Sequence, residues 1–243
     1  MVVHTMKRSR LRSSTGFSLV EVMAAMAAGL VVLAAALQAV GYFQREFARL
    51  HERLTQQQDV RLGLELFEQE LRLASSASMS IVRPDVVEFT ANVGGLATMV
   101  TAAMTPGQTT VPVEDGRGWP DNKLVRLCWN DQCEQFTLAR AGQRNLLTFV
   151  EPATRQVPSG SSAMVMNRVR YYSRPDERGV LRWLRQIDGG ASVIAGNIAS
   201  FTLQYWDAQG RPVTRAEFVR RMFVEIALPG RVVKETREIG LRS

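Results

Sequence analysis

Histidine and cysteine are nearly absent from this 243-residue chain, at two residues each. So few soft ligands exclude Cys/His zinc sites, iron–sulfur clusters and a disulfide-dense scaffold, and leave at most one disulfide. Proline does not occur before Pro84, so nothing of that kind breaks a helix in the first third of the chain. Acidic residues are missing from the first 20 positions. With 46% hydrophobic and 22% charged residues, the rest reads as an ordinary folded protein, not a disordered one.

The two histidines, His4 and His51, both precede the β-rich part of the chain, so no Ser/His or Cys/His catalytic arrangement forms within it. Neither a P-loop nor a dinucleotide fingerprint occurs. The carboxylate pairs Glu114-Asp115 and Asp176-Glu177 fall in expected turns, where charge is ordinarily solvated. No catalytic residue, metal ligand or cofactor is assigned, and a non-enzymatic chain is expected.

What is present begins with a basic leader. Lys7, Arg8, Arg10 and Arg12 account for +4 of a net charge of +7. From Phe17 to Phe43 the only ionisable carboxylate is Glu21, and Val22 to Leu37 is apolar or glycine throughout. That run supplies the roughly 20 residues a helix needs to cross about 30 Å of hydrocarbon. All leader cations lie before it and the charges after it are mixed, so the N-terminus stays cytoplasmic and the remainder is exported. A secretory signal cut near Ala34-Ala35-Ala36 and a plain signal anchor are the simpler readings. Neither accounts for Glu21, four residues into the run. A carboxylate costs about 2.5–3.5 kcal/mol at the centre of a span and less near an interface, so it needs a compensating partner or a position shallow enough to reach the headgroups.

Gly16-Phe17-Ser18-Leu19-Val20-Glu21, with its basic leader and long apolar run, resembles the class III signal of type IV pilins and type II secretion pseudopilins. The resemblance implies that a prepilin peptidase cuts between Gly16 and Phe17, that Phe17 is N-methylated, and that the anchor survives cleavage. It also implies that Glu21 pairs with the α-amine of a neighbouring subunit. The implied partners are other minor pilins and the major pilin, met through the N-terminal helix, along with the peptidase and the inner membrane.

A helix is expected from Phe17 to about Ser78; its 62 residues would extend roughly 93 Å at 1.5 Å per residue. Val60, Leu64, Phe67, Leu71 and Ala74 follow helical spacing and should be buried, with Leu62, Leu66 and Leu73 on a neighbouring stripe. Phe47, Leu50 and Leu54 form a thinner stripe facing solvent until partners arrive. Gly29 and Gly41 are places where the helix loosens. The position at which many major pilins kink with proline is Gln38 here, so the usual kink is not expected.

After residue 80, β-branched and aromatic runs alternate with Gly, Pro, Asn and Asp, the pattern of antiparallel sheet. Eleven strands are expected, with a hairpin turn over 174–179 and another turn over 207–210. The stretch from Gly94 to Gly107 reads as an unpatterned insertion. The fold class is therefore α+β, a long helix on an antiparallel sheet, as in pilins. Its segments are a leader (1–16), a transmembrane assembly helix (17–43), an amphipathic continuation (44–79) and an exported β-domain (80–243). Ala195-Gly196-Asn197-Ile198-Ala199-Ser200-Phe201, followed by Tyr205-Trp206-Asp207 and Gly210, resembles minor pilins of the PilW type and J-type minor pseudopilins. That resemblance implies a subunit that initiates or caps a pilus, at its tip, or serves a secretion system.

Cys128 and Cys133 flank a four-residue loop suited to a hairpin, and an oxidising compartment would join them. The pair should share the more polar face with Leu124, Arg126, Gln135 and Thr137. Basic charge is concentrated late: residues 168–243 hold 14 basic and 8 acidic side chains, against 12 and 15 in residues 17–167. Arg168, Arg170, Arg174, Arg178, Arg182 and Arg185 fall on one expected hairpin, and Arg211, Arg215, Arg220 and Arg221 on another. Interleaved with Tyr171, Tyr172, Trp183 and Trp206, these arginines suit a solvated face, a subunit interface or, less favoured, a DNA-binding surface.

Overall fold

The computed structural model describes residues 18–230 and 234–241. Helix α1 runs Leu19–Leu73 without interruption, continuous through Gly29, Gln38 and Gly41 and ending five residues before the expected boundary. A single 3₁₀ turn at Ser76–Ser78 leads into the sheets. The strands are β1 (Met79–Arg83), β2 (Val86–Ala91), β3 (Ala97–Met99), β4 (Thr110–Pro112), β5 (Leu124–Trp129), β6 (Gln132–Thr137) and β7 (Leu146–Thr148). They continue with β8 (Ser162–Pro175), β9 (Leu181–Ile187), β10 (Gly190–Ala195), β11 (Ser200–Trp206), β12 (Arg221–Ala227) and β13 (Lys234–Gly240). A long helix followed by antiparallel sheets is the α+β, pilin-like architecture read from the sequence.

The chain forms two compact bodies, dividing between Leu54 and Thr55. The first is helical: its apolar residues from Leu19 to Phe43 are exposed, and by length and composition the helix suffices to cross a membrane. The second holds the rest of α1 and all the strands.

Strand β8 organises the second body. Fourteen residues long, it pairs with β5 and β3 through its first half and with β2 and β9 through its second. β1, β6 and β10 extend this sheet, while β11-β12-β13 and β4-β7 form two smaller ones. The two strands expected at 163–166 and 169–173 are thus one strand. β1, β3 and β10 were not anticipated. For β10 the signal existed: Asp188-Gly189 takes positive φ at both residues (48° and 102°), the two-residue turn that Asp-Gly favours between strands.

Two apolar cores hang from β8. In one, Val60, Leu64, Phe67 and Leu71 of α1 meet Phe89, Tyr171, Trp183, Phe201 and the inward residues of β11–β13. Phe67 stands edge-on to Tyr171 with ring centroids 4.6 Å apart. Leu62 and Leu73 of the neighbouring stripe are exposed, so the helix buries a narrower face than expected. The other core gathers Val100, Met104, Trp119, Val125, Leu127, Phe136 and Phe149 around Ala163 and Val165. The 94–107 stretch is therefore no loose insertion: Val100 and Met104 are buried, and their amides donate to the carbonyls of Ser161 and Val157.

One glycine permits the helix to approach the sheet. A Cβ on Gly63 would lie 2.2 Å from Ile194 Cγ2 and 2.5 Å from Trp183 Cζ3, well inside van der Waals contact.

Candidate assembly and interaction surfaces

Gly16, Phe17 and the leader lie outside the described residues. The described chain opens on Ser18, whose Oγ accepts from the Val20 amide (3.3 Å) while its own amide donates to Glu21 Oε2 (3.0 Å). This reciprocal pair is a capping box, in which side chains satisfy the otherwise unpaired first amides of a helix. Ser18-x-x-Glu21 is its sequence signature, masked in the sequence by the more conspicuous oddity of a charge in an apolar run. The carboxylate thus has a partner within its own chain, at the polar start of α1. Farther along the same body, Phe43, Phe47, Leu50 and Leu54 are exposed, as the thinner stripe predicts.

Within the second body, α1 carries a buried carboxylate, Glu70. It is 5% exposed and accepts from the Tyr171 hydroxyl (2.5 Å), from Arg185 Nε (3.0 Å) and from the Arg185 Nη2 atom. Burial, reinforced by the adjacent carboxylate, raises the Tyr171 phenol above its ordinary value, and the hydrogen bond to Glu70 raises the Arg185 guanidinium. A buried carboxylate held by three donors ties α1 to β8 and β9. Gln56 adds a second tie, its Nε2 donating to the Gly196 and Asn197 carbonyls (3.2 and 2.6 Å). Neither was anticipated; Glu70 lies on the buried helical face at i+3 from Phe67, and that was its one visible signal.

The arginines grouped by sequence do not form one surface. Arg185 turns inward to Glu70. Arg168 and Arg170 face outward, the first 3.8 Å from Glu88 and the second 5.2 Å over the Tyr172 ring. Arg182 pairs with Asp176 at 2.7 Å, whereas Arg174 and Arg178 make no ion pair among the described residues. On the other hairpin, Arg220 donates to the Glu217 and Val219 carbonyls and Arg221 pairs with Glu238. Arg211 and Arg215 meet Asp207 and Glu217.

Cys128 and Cys133 are bonded, with Cα atoms 4.1 Å apart. The connection is shorter than the four residues expected: strands β5 and β6 run through Trp129 and Gln132, and only Asn130 and Asp131 turn, both at positive φ. In register, the cysteines share a face with Leu124, Arg126, Gln135 and Thr137, as the alternation requires. Among the described residues, no group of three or more His, Cys, Asp or Glu side chains is placed to hold a metal ion.

Residues 11–37 match the prokaryotic N-terminal methylation motif. The match spans Gly16, Phe17, Glu21 and most of the apolar run, and marks the N-terminus as a prepilin-type signal of a pilin-like or pseudopilin chain. No curated protein and no solved structure matches the chain.

Proposed function

We propose that the chain is a non-catalytic minor pilin of the PilW type. It sits in the inner membrane with its N-terminus cytoplasmic and its β-domain periplasmic, and assembles there with other minor pilins to initiate or cap a type IV pilus. The observation that carries this reading is one carboxylate, Glu21, at the head of an exposed apolar helix, inside a methylation motif. Prepilin peptidase removes residues 1–16 and Phe17 is methylated. The apolar helices then pack side by side, and Glu21 sets axial register against a neighbour's α-amine, exchanging or sharing the bond it makes with the Ser18 amide. DNA is not favoured as a partner, since Arg182, Arg185, Arg220 and Arg221 are all engaged within the chain.

N-terminal analysis of the membrane-extracted protein should find N-methylated Phe17; any other start refutes the processing step. Glu21→Ala should abolish incorporation while leaving the β-domain folded, and normal assembly by that variant would remove the register argument. A J-type pseudopilin has the same motif and architecture. Deletion that stops protein secretion and leaves piliation intact would favour that reading.

A further inference from the structure

The outward face of the large sheet carries positive charge that its own chain does not balance. On β8, Met164, Arg168, Arg170, Tyr172 and Arg174, with the buried Met166 among them, alternate with Ala163, Val165, Val169 and Tyr171, and so share the face turned away from both cores. β5 adds Leu124 and Arg126, in register with Met166 and Met164. β9 adds Leu184 and Arg182 opposite Tyr172 and Arg174, and β10 brings Val193 beside Leu184.

Arg126 is the informative member. It is half-buried between Met164 and Gln135, no carboxylate pairs with it among the described residues, and burial pulls its guanidinium below the ordinary value. A partly desolvated cation without a counter-charge destabilises the isolated chain. Arg170 is in a similar position, its Nε shielded from solvent with no acceptor among the described residues. Most acids of this face are already committed. Glu88 meets Arg168 and Ser80, Asp188 is held by Lys123, Asn167 and the Arg168 amide, and Asp176 by Arg182 and the turn amides. Asp121 and Glu177 stand at the rim, against four cations that make no ion pair among the described residues: Arg126, Arg170, Arg174 and Arg178. The outer face of the small sheet is different, because there Lys234–Glu225 and Arg221–Glu238 cancel in pairs.

The apolar side chains between these cations decide what kind of anion fits. Leu124, Met164, Tyr172 and Leu184 are part-exposed and Val193 is exposed, and Met, Tyr and Arg are enriched at protein interfaces. A nucleic-acid strand uses an open cationic track and free aromatic faces for stacking. Here the face's one aromatic ring is covered by Arg170, and aliphatic groups separate the guanidiniums.

We propose that this face, centred on Arg126 and Tyr172, docks a protein segment whose carboxylates are set between apolar side chains, the carboxylates meeting Arg126, Arg170 and Arg174. The contact is independent of the helix-borne register at Glu21, so a mature start other than Phe17 would refute the pilin reading without touching this one.

The test uses full-length protein in its own membranes, with a benzophenone amino acid replacing Met164 or Leu184, and Thr202 on the small sheet's outer face as control. Illumination should give a protein adduct from the first two positions only. The adduct's cross-linked peptide should contain Asp or Glu, its yield should fall at least fivefold in Arg126→Glu and Arg170→Glu, and changing the partner's carboxylate to Lys should restore it. Arg126→Met separates binding from folding: it should raise the thermal unfolding midpoint of the detergent-solubilised protein while lowering adduct yield. No adduct, adducts to nucleic acid or lipid alone, equal yield at Thr202, or a yield indifferent to charge reversal would each overturn the proposal.

Discussion

Replacing Gly63 by alanine should destabilise the protein, although glycine inside a helix is ordinarily worth replacing. Relief from glycine's backbone entropy would contribute up to about 1 kcal/mol. Against it stand contacts of 2.2 Å to Ile194 Cγ2, 2.5 Å to Trp183 Cζ3 and 3.3 Å to Trp183 Cε3, where carbon atoms prefer about 3.5–4.0 Å. The indole cannot retreat: it is fully buried, with Phe67, Tyr171 and Phe201 at centroid distances of 6.3, 6.0 and 5.7 Å. Overpacking costs about 1–3 kcal/mol, and contacts this close belong in the upper half of that range. A net loss of about 1–2 kcal/mol follows, or about 2–8 °C in midpoint for a domain of this size. Thermal unfolding of the full-length protein in detergent, followed by tryptophan fluorescence, measures it. Gly41→Ala is the control, since its Cβ would meet only Arg45 Nη2 at 3.9 Å. Ile194→Ala should recover part of the loss by removing the nearer obstacle. A Gly63→Ala midpoint equal to or above that of the unchanged protein would refute the reasoning.

Glu70→Ala strands a part-buried guanidinium and a buried phenol, and should cost about 2–3 kcal/mol in urea unfolding, below the full penalty for an unpaired buried charge; Tyr171→Phe, which removes one donor, should cost about 1 kcal/mol. Reducing Cys128–Cys133 opens only a short loop and should lower stability by about 2 kcal/mol, with the sheet's circular dichroism retained because β5 stays paired to β8; collapse of the sheet on reduction would contradict this. Burial alone would raise Asp188, but Lys123, Asn167 and the Arg168 amide outweigh it, while the Val180 amide chiefly lowers Asp176. Carboxylates lowered in the folded state contribute stability above the unfolded value near pH 4 and lose it as pH falls through their folded values. Unfolding midpoints should therefore decline below about pH 4, with a shallower decline in Asp188→Asn; an unchanged pH profile in that variant would remove Asp188 from the account.

The helix was legible because its signals are local: an apolar run, the lack of proline before Pro84, and Val60, Leu64, Phe67 and Leu71 at helical spacing. The β5–β6 register was legible for the same reason, since alternation over six residues fixes which side chains share a face. What escaped depends on partners distant in sequence. Nothing near Gly63 announces Trp183 or Ile194, and Glu70 looks like any helical glutamate until Tyr171 and Arg185 arrive more than 100 residues later. The late arginines looked like one patch because sequence proximity hides the two faces of a strand: Arg182 and Arg185, three positions apart on β9, point in opposite directions. The 94–107 stretch gave no period because its one strand, β3, is only three residues long, and the rest is held by isolated backbone bonds such as those of Val100 to Ser161 and Met104 to Val157.

The two cores differ in how far apart in the chain their members lie. The core around Phe136 is assembled from residues between Val100 and Val165, contacts of moderate separation that can close while the rest of the chain is still emerging. The core beneath α1 joins Val60 to Ile239. A chain delivered N-terminus first therefore presents the helix's apolar face nearly its whole length before β13 arrives to close it. Long-range closure of this kind is slow, so the local core should close before the core beneath α1 does; pulse-labelled hydrogen exchange protecting Val60 and Phe67 before Phe136 would contradict this. Between those events the exposed stripe of α1 is an aggregation-prone surface.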